Sequence, residues 1–484
     1  MALVSRIVLL ICLFSLICTA QTDRVIDEAL KPSPVADNLR RLTDEIGGRV
    51  PGTPAAQQAV DWGVAAFRAA GVDSVRTEPF QVPVTWAEGA TRVEVVAPAH
   101  FTVRAVSAAW TPALPNTRVP VIDVGAGKPE DFARVGDIGG KAVLVHTDLL
   151  KSWADLFNEY LKAPPVIEAA IRGRAAVILF LASREHDILY RHTSGLNGRL
   201  ARIPMLIIAR EDGLRISRLL AAKQPVELQL AIPNRIGGPT PAHNVVAEIR
   251  GSELPDEWVL LGAHLDSWEL GTGALDNGCN AALVIDAARA IKASGIPPRR
   301  SIRFVLFNGE EQGMLGSAAY AAAHQQELDR AQAVVIFDTG IGRVTGYSLG
   351  GRKDAVAPLQ GLLDFLLRFQ AAELTTDAFV GTDNLDFLLH GVPTLVANQE
   401  EANYLVNYHA TSDTFDKVDI PELKKHVAIA AATVLALANA PSRIAPRQSR
   451  AEIEQLMKES GLDSQLKLFG LWEQWQQGTR GRKP

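Results

Sequence analysis

Beyond residue 244 the chain alternates between short, fully apolar runs and longer stretches with helical apolar spacing. The runs Val259–Ala263, Ile302–Phe307 and Ala333–Phe337 are too short for stable helices and carry almost no polar position. They predict strands buried on both faces. Ala281–Ala293 and Ser317–Arg330, lying between them, predict helices. Strands alternating with helices predict an α/β domain with a mostly parallel central sheet flanked by helices. The long apolar stretch Val427–Ala438 predicts a buried helix, started by Asp419 and Pro421 and stopped by Pro441.

Upstream the texture differs. Asp37–Leu42 predicts a helix, followed by the Gly/Pro-rich turn Gly47–Gly52 and a second helix from Ala55 to Ala70 that ends at Gly71. Strand-like segments follow at Ser74–Phe80 and Thr91–Val96. Residues 100–240 hold short β-rich runs, among them Val119–Val124, Lys141–Val145, Ala175–Leu181 and Ile203–Ile208, with a helix at Leu214–Ala222. They predict a separate β-rich module inserted between residues 21–99 and 241–440 of the α/β domain. The remaining residues, 441–484, predict a helical tail that packs through Trp472 and Trp475 and frays at Arg480-Gly481-Arg482-Lys483.

The first 20 residues read as a secretory signal. Arg6 supplies the positive charge, Ile7–Ile17 an apolar core broken only by Ser15, and Cys18-Thr19-Ala20 a small-residue cleavage site before Gln21. The apolar core is short for a membrane span, so the expected product is secreted or periplasmic, cleaved after Ala20, with no membrane span left. Cys12 and Cys18 leave with the signal, and Cys279 alone remains, so no intramolecular disulfide can form. The 484-residue chain is 47% hydrophobic and 21% charged, an ordinary globular balance. Its net charge of -5 and the lack of a basic stripe argue against nucleic acid as a partner.

The chemistry concentrates at strand ends. Glu310 and Glu311 follow the apolar run at Ile302–Phe307, where two adjacent carboxylates are costly without a cation. His264 ends another run, Asp266 lies two residues on, Asp276 sits in a Gly-rich loop, Asp338 follows a third run, and His409 lies in a polar loop. Singly each has a bland reading: a hydrogen-bonded histidine, a solvated Glu pair, a cap or turn aspartate. Together they supply two imidazoles and three carboxylates, about what two zinc ions need beside a shared water, with Glu310 left over as a base. Asp266 is placed to orient the His264 imidazole, and a carboxylate such as Asp276 can bridge two metals. His146-Thr147-Asp148 also follows an apolar run, but it lies in the β-rich module and is expected to lack further acidic partners nearby, so it reads as structural. A serine hydrolase using His409 with Ser412 or Asp413 lacks a Gly-x-Ser-x-Gly elbow.

The runs Gly262-Ala263-His264-Leu265-Asp266-Ser267-Trp268, Gly273-Ala274-Leu275-Asp276-Asn277-Gly278 and Asn308-Gly309-Glu310-Glu311-Gln312-Gly313 resemble the M28 family of zinc exopeptidases. Asp338 and the Asn407–Thr414 loop join the pattern, and the wording of the motifs is most similar to the carboxypeptidase Q branch. The resemblance implies two Zn2+ per chain. His264 and Asp338 would hold one, Glu311 and His409 the other, with Asp276 bridging, Glu310 as general base and Asp266 in support. It implies that the insertion is a protease-associated-like domain. The expected activity is hydrolysis of dipeptides or short peptides with free ends, by a dipeptidase, carboxypeptidase or aminopeptidase, with room for a homodimer. A non-catalytic binding protein or a glutaminyl cyclase on the related fold are the alternatives. Asn277-Gly278-Cys279-Asn280 and Asn384 depart from the family pattern and bear on substrate preference.

Overall fold

A computed structural model describes residues 20–192 and 198–483. Apart from Ala20, which opens a helix over 20–30, the expected signal lies outside the described residues. The central sheet has eight strands, in the order Ser74–Val82, Thr240–Ile249, Arg300–Phe307, Leu254–His264, Ala331–Ile336, Thr394–Gln399, Val344–Ser348, Glu373–Thr375. Its middle is parallel: Leu254–His264 pairs in parallel with both Arg300–Phe307 and Ala331–Ile336, and the latter with Thr394–Gln399. Antiparallel strands flank this core.

The two-residue period of a strand explains the layers. Val259, Leu261 and Ala263 pack on one face, with Ile302, Phe304, Leu306 and the helices Cys279–Ser294 and Ile420–Asn439. Trp258 and Leu260 point the other way, to Val305, Phe307, Tyr320 and Phe387. The expected Val427–Ala438 helix is the core of Ile420–Asn439; its cap is Asp419, whose side chain accepts the Glu422 N–H, and Pro421 sits in the first turn. Among the described residues no helix is long and apolar enough to cross a membrane.

A second eight-stranded sheet runs Phe101–Thr102, Arg92–Ala97, Glu227–Ile232, Leu114–Asp123, Ala142–Val145, Val177–Leu181, Met205–Ile208, Ala105–Ser107. Its strand Arg92–Ala97 lies N-terminal to residue 100. Four of its strands are parallel neighbours, and helices accompany them. The 20-residue helix Trp153–Arg172 departs from the expected succession of strands and loops. Pro164 and Pro165 lie inside it, although proline lacks the N–H of a helix interior. Ser152 caps its start by accepting the Asp155 N–H.

The C-terminal helices Arg450–Ser460, Leu462–Leu468 and Trp472–Gln476 pack Leu456, Leu466 and a fully buried Trp475 against Leu385 and Leu388. The expected fraying at the basic end does not occur at Arg480. Its guanidinium makes two 2.7 Å bonds to the buried Asp386 carboxylate, which ties the end down.

Candidate metal centre

The polar residues stand at the carboxyl ends of the parallel strands, where open α/β sheets bind ligands. His264 is the last residue of Leu254–His264, Glu310 and Glu311 follow Arg300–Phe307, and Asp338 follows Ala331–Ile336. Asp276 lies in the turn Ala274–Gly278, just before the Cys279–Ser294 helix. His409 comes from a loop after Tyr404–Asn407. The fold brings all of them together, and all but Glu310 are buried.

Two clusters result, His264 with Asp276 and Asp338, and His409 with Asp276 and Glu311. His264 Nε2 lies 2.9 Å from Asp338 Oδ1 and 3.2 Å from Asp276 Oδ1. His409 Nε2 lies 2.8 Å from Glu311 Oε2 and 3.2 Å from Asp276 Oδ2. Asp276 therefore gives one oxygen to each cluster.

The other ring nitrogens fix the tautomers. His264 Nδ1 donates to the Asp266 carbonyl and His409 Nδ1 to the Arg191 carbonyl, each at 2.9 Å. A neutral imidazole so oriented turns its Nε2 lone pair toward carboxylate oxygens, which are also acceptors. Only a cation or an added proton relieves that arrangement. Without metal the proton serves. Burial would lower the His409 pKa, but Glu311 and Asp276 lift it to about 9. His264 is likewise raised well above its ordinary value, against burial, by Asp338, Asp266 and Asp276. Burial drives Glu311 up to about 7 and Glu310 well above the carboxylate range, each further raised by acidic neighbours. Asp276, between two imidazoles, goes the other way: their hydrogen bonds outweigh burial and depress it. Glu311 Oε1 is buried and makes no hydrogen bond.

Residues 244–434 match the model of peptidase family M28. The chain carries a family M28 peptidase domain. Carboxypeptidase Q of Rattus norvegicus is 27% identical over 83% of this chain and 85% of its own. The Homo sapiens protein of that name is 26% identical over 81% and 83%. Aminopeptidase YwaD of Bacillus subtilis is 28% identical over 61% and 58%. Among solved structures, a peptidase M28 precursor from Shewanella amazonensis superposes with a TM-score of 0.82 at 26% identity, over 90% of this chain and all of that one. A zinc aminopeptidase from Bacillus subtilis shares the fold at a TM-score of 0.65 and 20% identity, over 82% and 93%. The chain is a metallo-exopeptidase by class, and the donor set in residues 244–434 would suit zinc: imidazole nitrogens, carboxylate oxygens and the orphaned buried Glu311 Oε1.

Residues that carry no sequence signal support these donors. The Asp413 carboxylate accepts the N–H groups of Ala274, Leu275 and Asp276 at 3.0, 2.7 and 3.1 Å, clamping the turn that presents Asp276. Burial, with the Asp276 charge added, raises its pKa to about 7. Arg49, fully buried, donates to the carbonyls of Gly47, Leu265, Thr272 and Gly273. Gly273 has φ +61°, and a Cβ there would meet Ser267 at 2.3 Å, so the turn needs glycine. Asp266 acts differently from the expected orienting carboxylate. Its backbone carbonyl, not its side chain, receives His264 Nδ1, while the carboxylate accepts the Glu310 and Glu311 N–H groups at 3.1 and 3.3 Å. It holds the strand end that presents both glutamates.

The inserted segment reaches the site as well. His409 has φ +56°, a left-handed conformation uncommon for residues with a side chain. Arg191 N–H donates to the His409 carbonyl and Thr411 N–H to the Leu189 carbonyl, so a short antiparallel bridge holds the loop. Away from the site, His146 does have an acidic partner, Asp123 at 3.0 Å, brought in by strand pairing rather than by sequence proximity.

Proposed function

We propose that the chain is an exported exopeptidase that binds two zinc ions and hydrolyses dipeptides or short peptides with free ends. His264, Asp276 and Asp338 would hold one ion, and Asp276, Glu311 and His409 the other. The observation that carries this reading is the division of the Asp276 oxygens between two histidine–carboxylate clusters. Export rests on the signal pattern of the first 20 residues.

Zinc at such a site supplies Lewis acidity and activates water for attack on a carbonyl. The chain's own residues do the rest. Glu310 lines the same cavity of about 480 Å³ as the two clusters and bonds no cation, so it is the group free to take a proton from the attacking water. It then returns that proton to the leaving amine. Asp266, by holding the Glu310 N–H, fixes where that carboxylate stands.

The cavity lining favours recognition of an amino end. No lysine or arginine is among its described residues to receive a terminal carboxylate, whereas carboxylate oxygens and the Asn398 and Gln399 amides can accept from an ammonium group. One experiment covers these points: hydrolysis of free, N-acetylated and C-amidated peptides by zinc-loaded wild type and Glu310→Gln. Wild type should cleave free and amidated peptides and spare acetylated ones. Glu310→Gln should keep its zinc and lose activity by about 10²–10⁴-fold or more, the usual cost of a missing general base. Loss of zinc in that variant would instead make Glu310 a ligand, and fast cleavage of a peptide blocked at both ends would refute the exopeptidase reading.

A further inference from the structure

The helix Trp153–Arg172 belongs to the inserted segment, yet its first half faces the metal centre. Trp153, Leu156, Phe157 and Tyr160 follow the i, i+3, i+4, i+7 spacing of a single helix face. Such a stripe ordinarily packs into its own core. Here the second half of the helix does so, through Val166 and Ala170 against the inserted sheet, but none of the four stripe residues joins a packed cluster. They line the active cavity instead and stay partly open, Trp153 at 38% exposure.

The stripe lies one or two contacts from the metal-binding side chains. The Tyr160 hydroxyl is 3.0 Å from that of Tyr408, and the Tyr408 ring stacks on His409 with centroids 3.7 Å apart. Trp153 meets Tyr404 at 5.6 Å, and Tyr404 meets Tyr408 at 5.5 Å. Phe469, from the C-terminal tail, closes the same wall beside Tyr160. An apolar surface left partly wet beside the reacting centre stabilises whatever apolar group covers it.

We infer that this stripe is the side-chain subsite, and that the enzyme prefers peptides with a large apolar or aromatic residue beside the scissile bond. The inference rests on the exopeptidase reading above and adds the substrate class. A charged side chain laid on the same wall would lose hydration with no counter-ion in return. A glycine or alanine would leave the wall uncovered.

The test is a panel of free dipeptides, X-Ala and Ala-X, with X as Phe, Leu, Ala, Glu or Lys. In one of the two series, kcat/KM for Phe and Leu should exceed that for Ala, Glu and Lys by at least about tenfold. Phe157→Ala should shrink the Phe-to-Ala ratio by about tenfold or more, the scale set by one apolar group in a pocket. Its half-exposed position lets the helix fold without it. Asn158→Ala, one residue on and outside the stripe, should leave that ratio where it is. A flat wild-type panel would overturn the subsite while leaving the exopeptidase standing. So would equal ratio changes in the two variants, or a uniform loss across substrates in Phe157→Ala. No hydrolysis of any dipeptide by zinc-loaded protein would remove the exopeptidase reading and this inference with it.

Discussion

His264 and His409 show how much a backbone carbonyl decides at the level of a single residue. Each is oriented through Nδ1, and each therefore offers Nε2 to carboxylates. The donors themselves were legible in the sequence, because each sits at the end of an apolar run where a polar residue needs a reason. Their supports were not. Arg49 reaches carbonyls more than two hundred positions away, and Asp413 clamps a turn 137 to 139 positions upstream. Local pattern carries no trace of such pairs. Asp413→Asn tests the clamp: an amide oxygen accepts less well than a carboxylate, and its NH2 would face at least one of the three N–H groups that the two carboxylate oxygens share. We expect zinc affinity to fall about 10–100-fold, the usual cost of losing a group that orients a ligand. Competition with a chromogenic chelator would measure it, and unchanged affinity would remove Asp413 from the support of the site.

Strands and helices of the M28 domain follow from periodicity, because strands buried on two faces must be apolar throughout and the helices that cover them need a cap and a stripe. Trp153–Arg172 escaped that logic because Pro164-Pro165 interrupts its second half and its apolar face serves a cavity rather than a core. The Ile420–Asn439 helix makes a separate prediction. His426 is completely buried in it, and burial depresses its pKa to about 4. The unfolded chain takes up that proton near pH 6.5 and the folded chain does not, so the stability present above that pH is lost as pH falls toward 4. The loss is on the order of 3 kcal/mol by proton linkage. His426→Gln removes the titrating group. In metal-free protein, its thermal midpoint should therefore fall less than that of wild type between pH 7 and pH 4.5. Parallel losses in both proteins would place the acid sensitivity elsewhere.

Across the whole molecule, one site is built from three segments. The M28 domain supplies the donors, the inserted segment pins the His409 loop and walls the cavity, and the tail adds Phe469. The residues of the first fall in local motifs. The other two depend on how distant segments pack, as does the Arg480–Asp386 pair that holds the tail in place. The proposed two-zinc reading requires that both clusters around Asp276 hold a metal ion. The most direct test is the zinc content of the purified mature protein, measured by elemental analysis after dialysis against zinc-free buffer. Two zinc ions per chain, both lost to a strong chelator together with activity, is the predicted result; one zinc per chain at full activity, unchanged by added metal, would contradict it.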